Sequence, residues 1–209
     1  MRLIGITGGI GTGKTTVSNY LKEKYQLPIW DADIYARRAV ECGSQIYANI
    51  VERYGSNLIS SDGSLDRRRL GEIVFSDPGE RRWLERQIHP YVRDRFIENI
   101  EKLAAQTQGR GQTTSDVCPT AVLAIPLLFE VQMTDLVTEI WVVYLCPEKQ
   151  IERLMVRDRL TRERAIARIN AQMPLEEKCE RADVVLDNSS TQLALMKQVD
   201  LAIATGNSQ

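Results

Sequence analysis

The chain is poor in the residues that build metal cages and disulfide frameworks. Its 209 residues include four cysteines and one histidine. Cys42, Cys118, Cys146 and Cys179 are widely spaced, and no CxxC pair occurs. That argues against a metal cage or a stapled secreted scaffold and points to a reducing cytoplasm. The cysteines read as small core residues. Charge of one sign is also missing. Twenty-seven basic residues face 28 acidic ones, a formal net charge of −1. Nothing global therefore argues for nucleic acid or an anionic membrane as partner. No apolar run approaches the roughly 20 residues needed to span a bilayer. The opening "MRLIGITGG" runs straight into glycines, which leaves no room for a signal peptide. No internal repeat is visible.

What is present begins with "GITGGIGTGKTTV", residues 5–17. Gly8 to Thr15 satisfies G-x-x-x-x-G-K-[ST] in full, after an apolar run and before a helical pattern, the context this motif requires. Glycines let backbone N–H groups turn inward, and a helix N-terminus adds about half a positive charge. The expected ATP-binding residues are Gly8, Gly9, Gly11, Thr12, Gly13, Lys14, Thr15 and Thr16. Lys14 is expected to reach the outer phosphates, and the Thr15 hydroxyl to ligate Mg²⁺.

Short apolar runs at 2–7, 27–33, 120–130, 139–147 and 182–188 read as buried strands alternating with helices. The expected fold is α/β, a doubly wound five-stranded parallel sheet. Residues 34–106 are charged, helical and without a convincing strand, so they read as a helical insertion, with a loop over 56–66. The core is then 1–33 and 118–209. Residues 107–119 read as an exposed loop. Residues 149–173 read as one arginine-dense helical stretch whose part from about 153 forms a lid. An amphipathic helix over 191–204 closes the chain.

Many nucleotide proteins share such a loop. The guanine signature N-K-x-D and the switch signature D-x-x-G are both missing. The third strand runs into "IPLLFE" (125–130) rather than the Asp-Glu expected of a motor. A small kinase fits, with a kinase for another nucleotide or small hydroxyl compound as its nearest alternative. A binding module without phosphoryl transfer is the alternative from another class.

Asp31 and Asp33 end the second strand, and ligands of open parallel sheets bind beyond the carboxyl ends of strands. One carboxylate can orient an attacking hydroxyl while the other steadies Mg²⁺ through water. Asp31 can equally cap the next helix. Arg153, Arg157, Arg159, Arg162, Arg164 and Arg168 crowd the lid, where guanidinium groups can grip phosphates or pair with Glu152, Asp158 and Glu163. Asn188 can meet a base edge or make a turn. His89 reads as structural or ligand-binding, and Trp30, Trp83 and Trp141 as core or pocket wall.

These residues together resemble the dephospho-CoA kinase family. "GITGGIGTGKTTV", "DAD", "LDRRRLGEIVF", "IHP", "IPLLFE", "QIERLMVRD" and "ADVVLDN" occur in the family's order. The resemblance covers about residues 3–203. It implies ATP-dependent phosphorylation of the ribose 3′-hydroxyl of dephospho-CoA, on a nucleoside-monophosphate-kinase-like core. It implies Asp33 as base, Lys14 and Arg153 on phosphate, and Thr7 lining the site. Leu65, Arg67, Leu70 and His89-Pro90 match acceptor-side positions. Two stretches depart from the pattern. Residues 107–119 run longer than the family usually has, and Ser189-Ser190 stand where it often has glycine.

Overall fold

The computed structural model describes residues 1–108 and 118–206. Five parallel strands form one sheet: β1 (Arg2–Gly8), β2 (Ile29–Asp31), β3 (Thr120–Ala124), β4 (Glu139–Tyr144) and β5 (Val184–Asp187). Their order is β2-β3-β1-β4-β5. Every residue of β1 is buried, as a central parallel strand covered on both faces requires. In β4 the side chains alternate. Trp141 and Val143 join the cluster built with Val17 and Leu21 of α1 (Lys14–Tyr25) and Leu195 and Val199 of α9 (Gln192–Gly206). Val142 between them packs with Phe129 and with Leu175 of α8 (Leu175–Glu180). The period-two alternation of a strand therefore feeds two hydrophobic layers.

Two compact units divide the chain, Met1–Asp31 with Ile100–Gln209, and Ala32–Asn99. The second unit carries α2 (Ala32–Ala39), α3 (Gln45–Tyr54), α4 (Arg67–Ser76) and most of α5 (Pro78–Gln108). It has its own core of Ala39, Val40, Ile50, Leu58, Leu65 and Leu70, with Trp83 and Ile88 packed against them. Ser44 caps α3 and Asp66 caps α4 through side-chain oxygens. Arg53 grips Glu80 at 2.7 Å and holds that carboxyl down at about 2.

Several expectations change. The third strand stops at Ala124, two residues before Pro126, the residue expected to end it. Of the loop expected over 107–119, residues 107 and 108 belong to α5, and 109–117 lie outside the described residues. The helical stretch over 149–173 is divided between two helices, α6 (Pro147–Asp158) and α7 (Arg162–Asn170). Arg159 takes a left-handed backbone, φ 53°, which ends α6, and Thr161 caps α7. The cysteines are not all core residues, since Cys42 and Cys118 are exposed.

Candidate active site

β1 ends at Gly8, and α1 starts at Lys14. The turn between them needs glycine at residue 13. Its φ is +106°, and a side chain there would run into the Asn188 amide. The Lys14 ammonium lies over the loop and donates to the carbonyls of Gly8 at 3.0 Å and Gly9 at 2.7 Å. The Thr12 hydroxyl is buried and donates to the Gly9 carbonyl at 2.9 Å. Thr12 therefore shapes the loop from inside, and its N–H also donates to the Gly9 carbonyl at 3.4 Å. Thr15 is exposed and Thr16 half-buried in the first turn of α1.

A residue of α6 meets this loop directly. Arg153 on α6 is exposed, and its guanidinium lies 3.4 Å from the Gly11 carbonyl and 3.5 Å from that of Thr12. An open cleft of about 410 Å³ is lined there by Gly11, Glu152, Arg153, Val156 and Arg157. The other lid arginines divide. Arg157 and Arg168 both pair with Asp158, at 2.8 and 2.9 Å, and Arg162 pairs with Glu148 at 2.9 Å. Arg157, and then Arg168, hold the Asp158 carboxyl below its usual range.

Asn188 turns its amide nitrogen to the loop backbone. It is buried after β5 and donates to the Thr12 carbonyl at 2.7 Å, which fastens the far side of the loop. Thr7 also turns inward. It is fully buried, and its hydroxyl donates to the Pro126 carbonyl at 3.0 Å. The same carbonyl receives Lys178, a fully buried lysine paired with Glu130 at 2.8 Å.

Asp31 is the last residue of β2, and α2 begins at Ala32, so Asp33 sits exposed in the first helical turn. Asp31 is in register with Ala124 of β3, which is in register with Ile6 of β1. That sets its backbone two strands from the loop strand, roughly 10 Å away. Within the second unit, Arg67 is exposed and donates to the Arg37 carbonyl at 3.2 Å. Leu65 and Leu70 are buried in that unit's own core, so they shape the insertion rather than offer a free surface. His89 is half-buried on α5, and burial pushes its imidazole below the usual value of 6.5.

Residue reasoning missed four groups here. Gln150 and Gln172 both bond to Ile10, and Glu130 and Lys178 brace the turn after β3. Gln150 and Glu130 lie in quoted motifs, and motif membership was the one signal they gave. Gln172 and Lys178 gave none.

A phosphate loop at the carboxyl end of a central parallel strand, with arginine-bearing helices over it, defines a P-loop kinase. The dephospho-CoA kinase family model matches residues 2–193. A dephospho-CoA kinase of Trichormus variabilis is 56% identical over 202 residues, 97% of this chain and 96% of that one. The chain belongs to the dephospho-CoA kinase family. Among solved structures, a Thermus thermophilus protein superposes with a TM-score of 0.77 at 34% identity, covering 98% of this chain and 97% of its own. The dephospho-CoA kinase from Campylobacter jejuni gives 0.72 at 25% identity, covering 100% and 98%.

Proposed function

We infer that the chain transfers the γ-phosphoryl group of ATP to the ribose 3′-hydroxyl of dephospho-CoA, giving coenzyme A and ADP. The observation that carries this is family membership over residues 2–193, joined to an intact phosphate loop. The ribose oxygen bonds to the γ-phosphorus as the bond to the β–γ bridging oxygen breaks. The hydroxyl proton passes to Asp33, and the electron pair leaves with ADP. The transition state is loose, so positioning and charge stabilisation carry most of the catalysis. Lys14 and Arg153 offset phosphoryl charge. Asp33 orients the acceptor hydroxyl and takes its proton late. Arg67 and His89 serve the acceptor, with His89 as a neutral imidazole at pH 7.

A magnesium ion fits the oxygen donors present. Among the described residues no cluster of three or more His, Cys, Asp or Glu would hold a metal alone. Mg²⁺ normally takes one or two protein oxygens and fills its shell with phosphates and water. Thr15 would hold it directly and Asp31 through water. Bound there, it would neutralise charge on the β- and γ-phosphates.

Among the described residues no helix is long and apolar enough to cross a membrane. We place the reaction in the cytoplasm, a reading supported by four free cysteines.

The deciding experiment measures ADP formation from ATP with dephospho-CoA, with adenosine, and with no acceptor. Transfer to dephospho-CoA should far exceed transfer to adenosine, because binding energy from the pantetheine arm positions the reacting hydroxyl. Equal kcat/KM for the two acceptors would sink this reading in favour of a general nucleoside kinase.

A further inference from the structure

We propose that Gln150 and Gln172 are positioning residues for phosphoryl transfer, clamping the tip of the phosphate loop through the backbone of Ile10. The two glutamines flank the lid. Gln150 lies in the first turns of α6, and Gln172 follows the end of α7 at Asn170. The Gln150 side chain is 2% exposed and donates to the Ile10 carbonyl at 2.6 Å. On the other side, the Ile10 N–H donates to Gln172 Oε1 at 2.8 Å. The Ile10 side chain packs into the lid's own apolar cluster, with Ile151, Leu154, Ala165, Ile166 and Ile169. The approach is close enough that a Cβ on Gly9 would stand 2.5 Å from Gln150 Nε2.

One residue of the loop is thus held by its carbonyl, its N–H and its side chain, all from lid elements. The chemistry of the clamp suits its place. A carboxylate beside the loop would repel a triphosphate, and a cation would compete for it. An amide supplies both N–H donors and a carbonyl acceptor without charge, and Gln150 uses the first while Gln172 uses the second. Fixing the peptides on both sides of Ile10 limits how the following N–H groups, from Gly11 to Lys14, can turn. A loop already fixed in shape loses less freedom when ATP binds, so the clamp should show in the ATP KM.

The clamp also has a fixed root. Met173, next to Gln172, donates its N–H to Glu130 Oε1 at 3.1 Å. Glu130 is tied to the fully buried Lys178, which reaches the turn after β3. Gln172 is therefore held against the sheet as well as against the loop.

The proposal rests on the loop being the ATP site. The test uses full-length Gln172→Met, Gln150→Met and the double variant, which keep side-chain length and remove the hydrogen bonds. Steady-state rates are measured against ATP and against dephospho-CoA, with thermal unfolding alongside. Gln172→Met should raise KM for ATP about tenfold, the worth of one good hydrogen bond. KM for dephospho-CoA should stay near the parent value, and the melting temperature should fall by no more than about 2–4 °C, the cost of that one bond. The double variant should lose less than the product of the two single losses, because both act through Ile10.

Unchanged ATP kinetics in Gln172→Met would overturn the proposal. So would equal losses for both substrates, losses that follow Tm, or losses that multiply in the double variant. If the buried Gln150 variant does not fold, Gln172→Met alone decides. A parent enzyme inactive on dephospho-CoA would instead overturn the function, and titration of ATP binding to parent and Gln172→Met would still test the clamp.

Discussion

The buried amide of Asn188 donates to the carbonyl of Thr12 at 2.7 Å, across 176 residues of chain. The end of β5 is thereby tied to the middle of the phosphate loop. We predict that Asn188→Ala leaves the Thr12 carbonyl without that partner. The cost should be about 1–3 kcal/mol of stability, read from denaturant unfolding. ATP binding should weaken in parallel. A variant with parent stability and affinity would show that the contact does not brace the loop.

Lys14 offers the clearest catalytic loss. Its ammonium lies on the carbonyls of Gly8 and Gly9, above the loop rather than in the core. Lys14→Ala should keep the fold and lower turnover by about 10²–10³, the usual scale for a lost electrostatic donor. Circular dichroism and initial rates check the two halves of this prediction. Near-normal turnover would contradict the role given to the loop.

Asp31 and Asp33 separate where β2 becomes α2. One ends the strand and the other lies in the first helical turn. Asp33→Asn keeps shape but takes no proton, so kcat should fall by about 10²–10⁴ with little change in ATP affinity. Asp31→Asn should give a defect that added Mg²⁺ partly rescues. A Mg²⁺ titration of both variants decides the matter. Rescue of Asp33→Asn instead would reverse the two roles.

His89 gives a spectroscopic prediction, because the chain has one histidine. Burial lowers its pKa below 6.5. Its single imidazole resonance should therefore titrate below that value in the folded protein. The unfolded chain binds the proton first as pH falls. Stability should be full above about pH 6.5 and decline toward the folded pKa, then level off. His89→Gln should flatten that slope. A resonance titrating above 6.5 would show a charged partner that dominates burial.

The sheet was legible because its strands are short, apolar and bounded by glycine, proline or acidic residues. The phosphate loop was legible because glycine spacing and the Lys-Thr pair serve one purpose. The break at Arg159 was not, since arginine carries no turn signal, although Thr161 is a cap in plain view. Thr7, Thr12 and Asn188 were placed at the loop, but the direction of their side chains was not readable. Each turns to a backbone carbonyl, a partner fixed only once distant strands meet. Gln172 and Lys178 follow no period, and their partners lie 162 and 48 or more residues away in the chain.

The place of β1 has a consequence for how the chain is made. Of the five strands β1 is made first, yet it is the centre of the sheet, and its neighbours are β3 and β4. Arg2 waits longer still, for Glu139 and for the carbonyls of Ala202 and Ile203 at 3.0 Å. At ordinary translation speed those last partners appear roughly 10–40 seconds after it. The stretch Ala32–Asn99 is contiguous and emerges whole in the meantime. The contiguous unit Ala32–Asn99 is thus complete in the chain before either sheet neighbour of β1 has been made. A nascent chain released before β3 would carry the apolar β1 with neither of its sheet neighbours made, a substrate for chaperones rather than a partial enzyme.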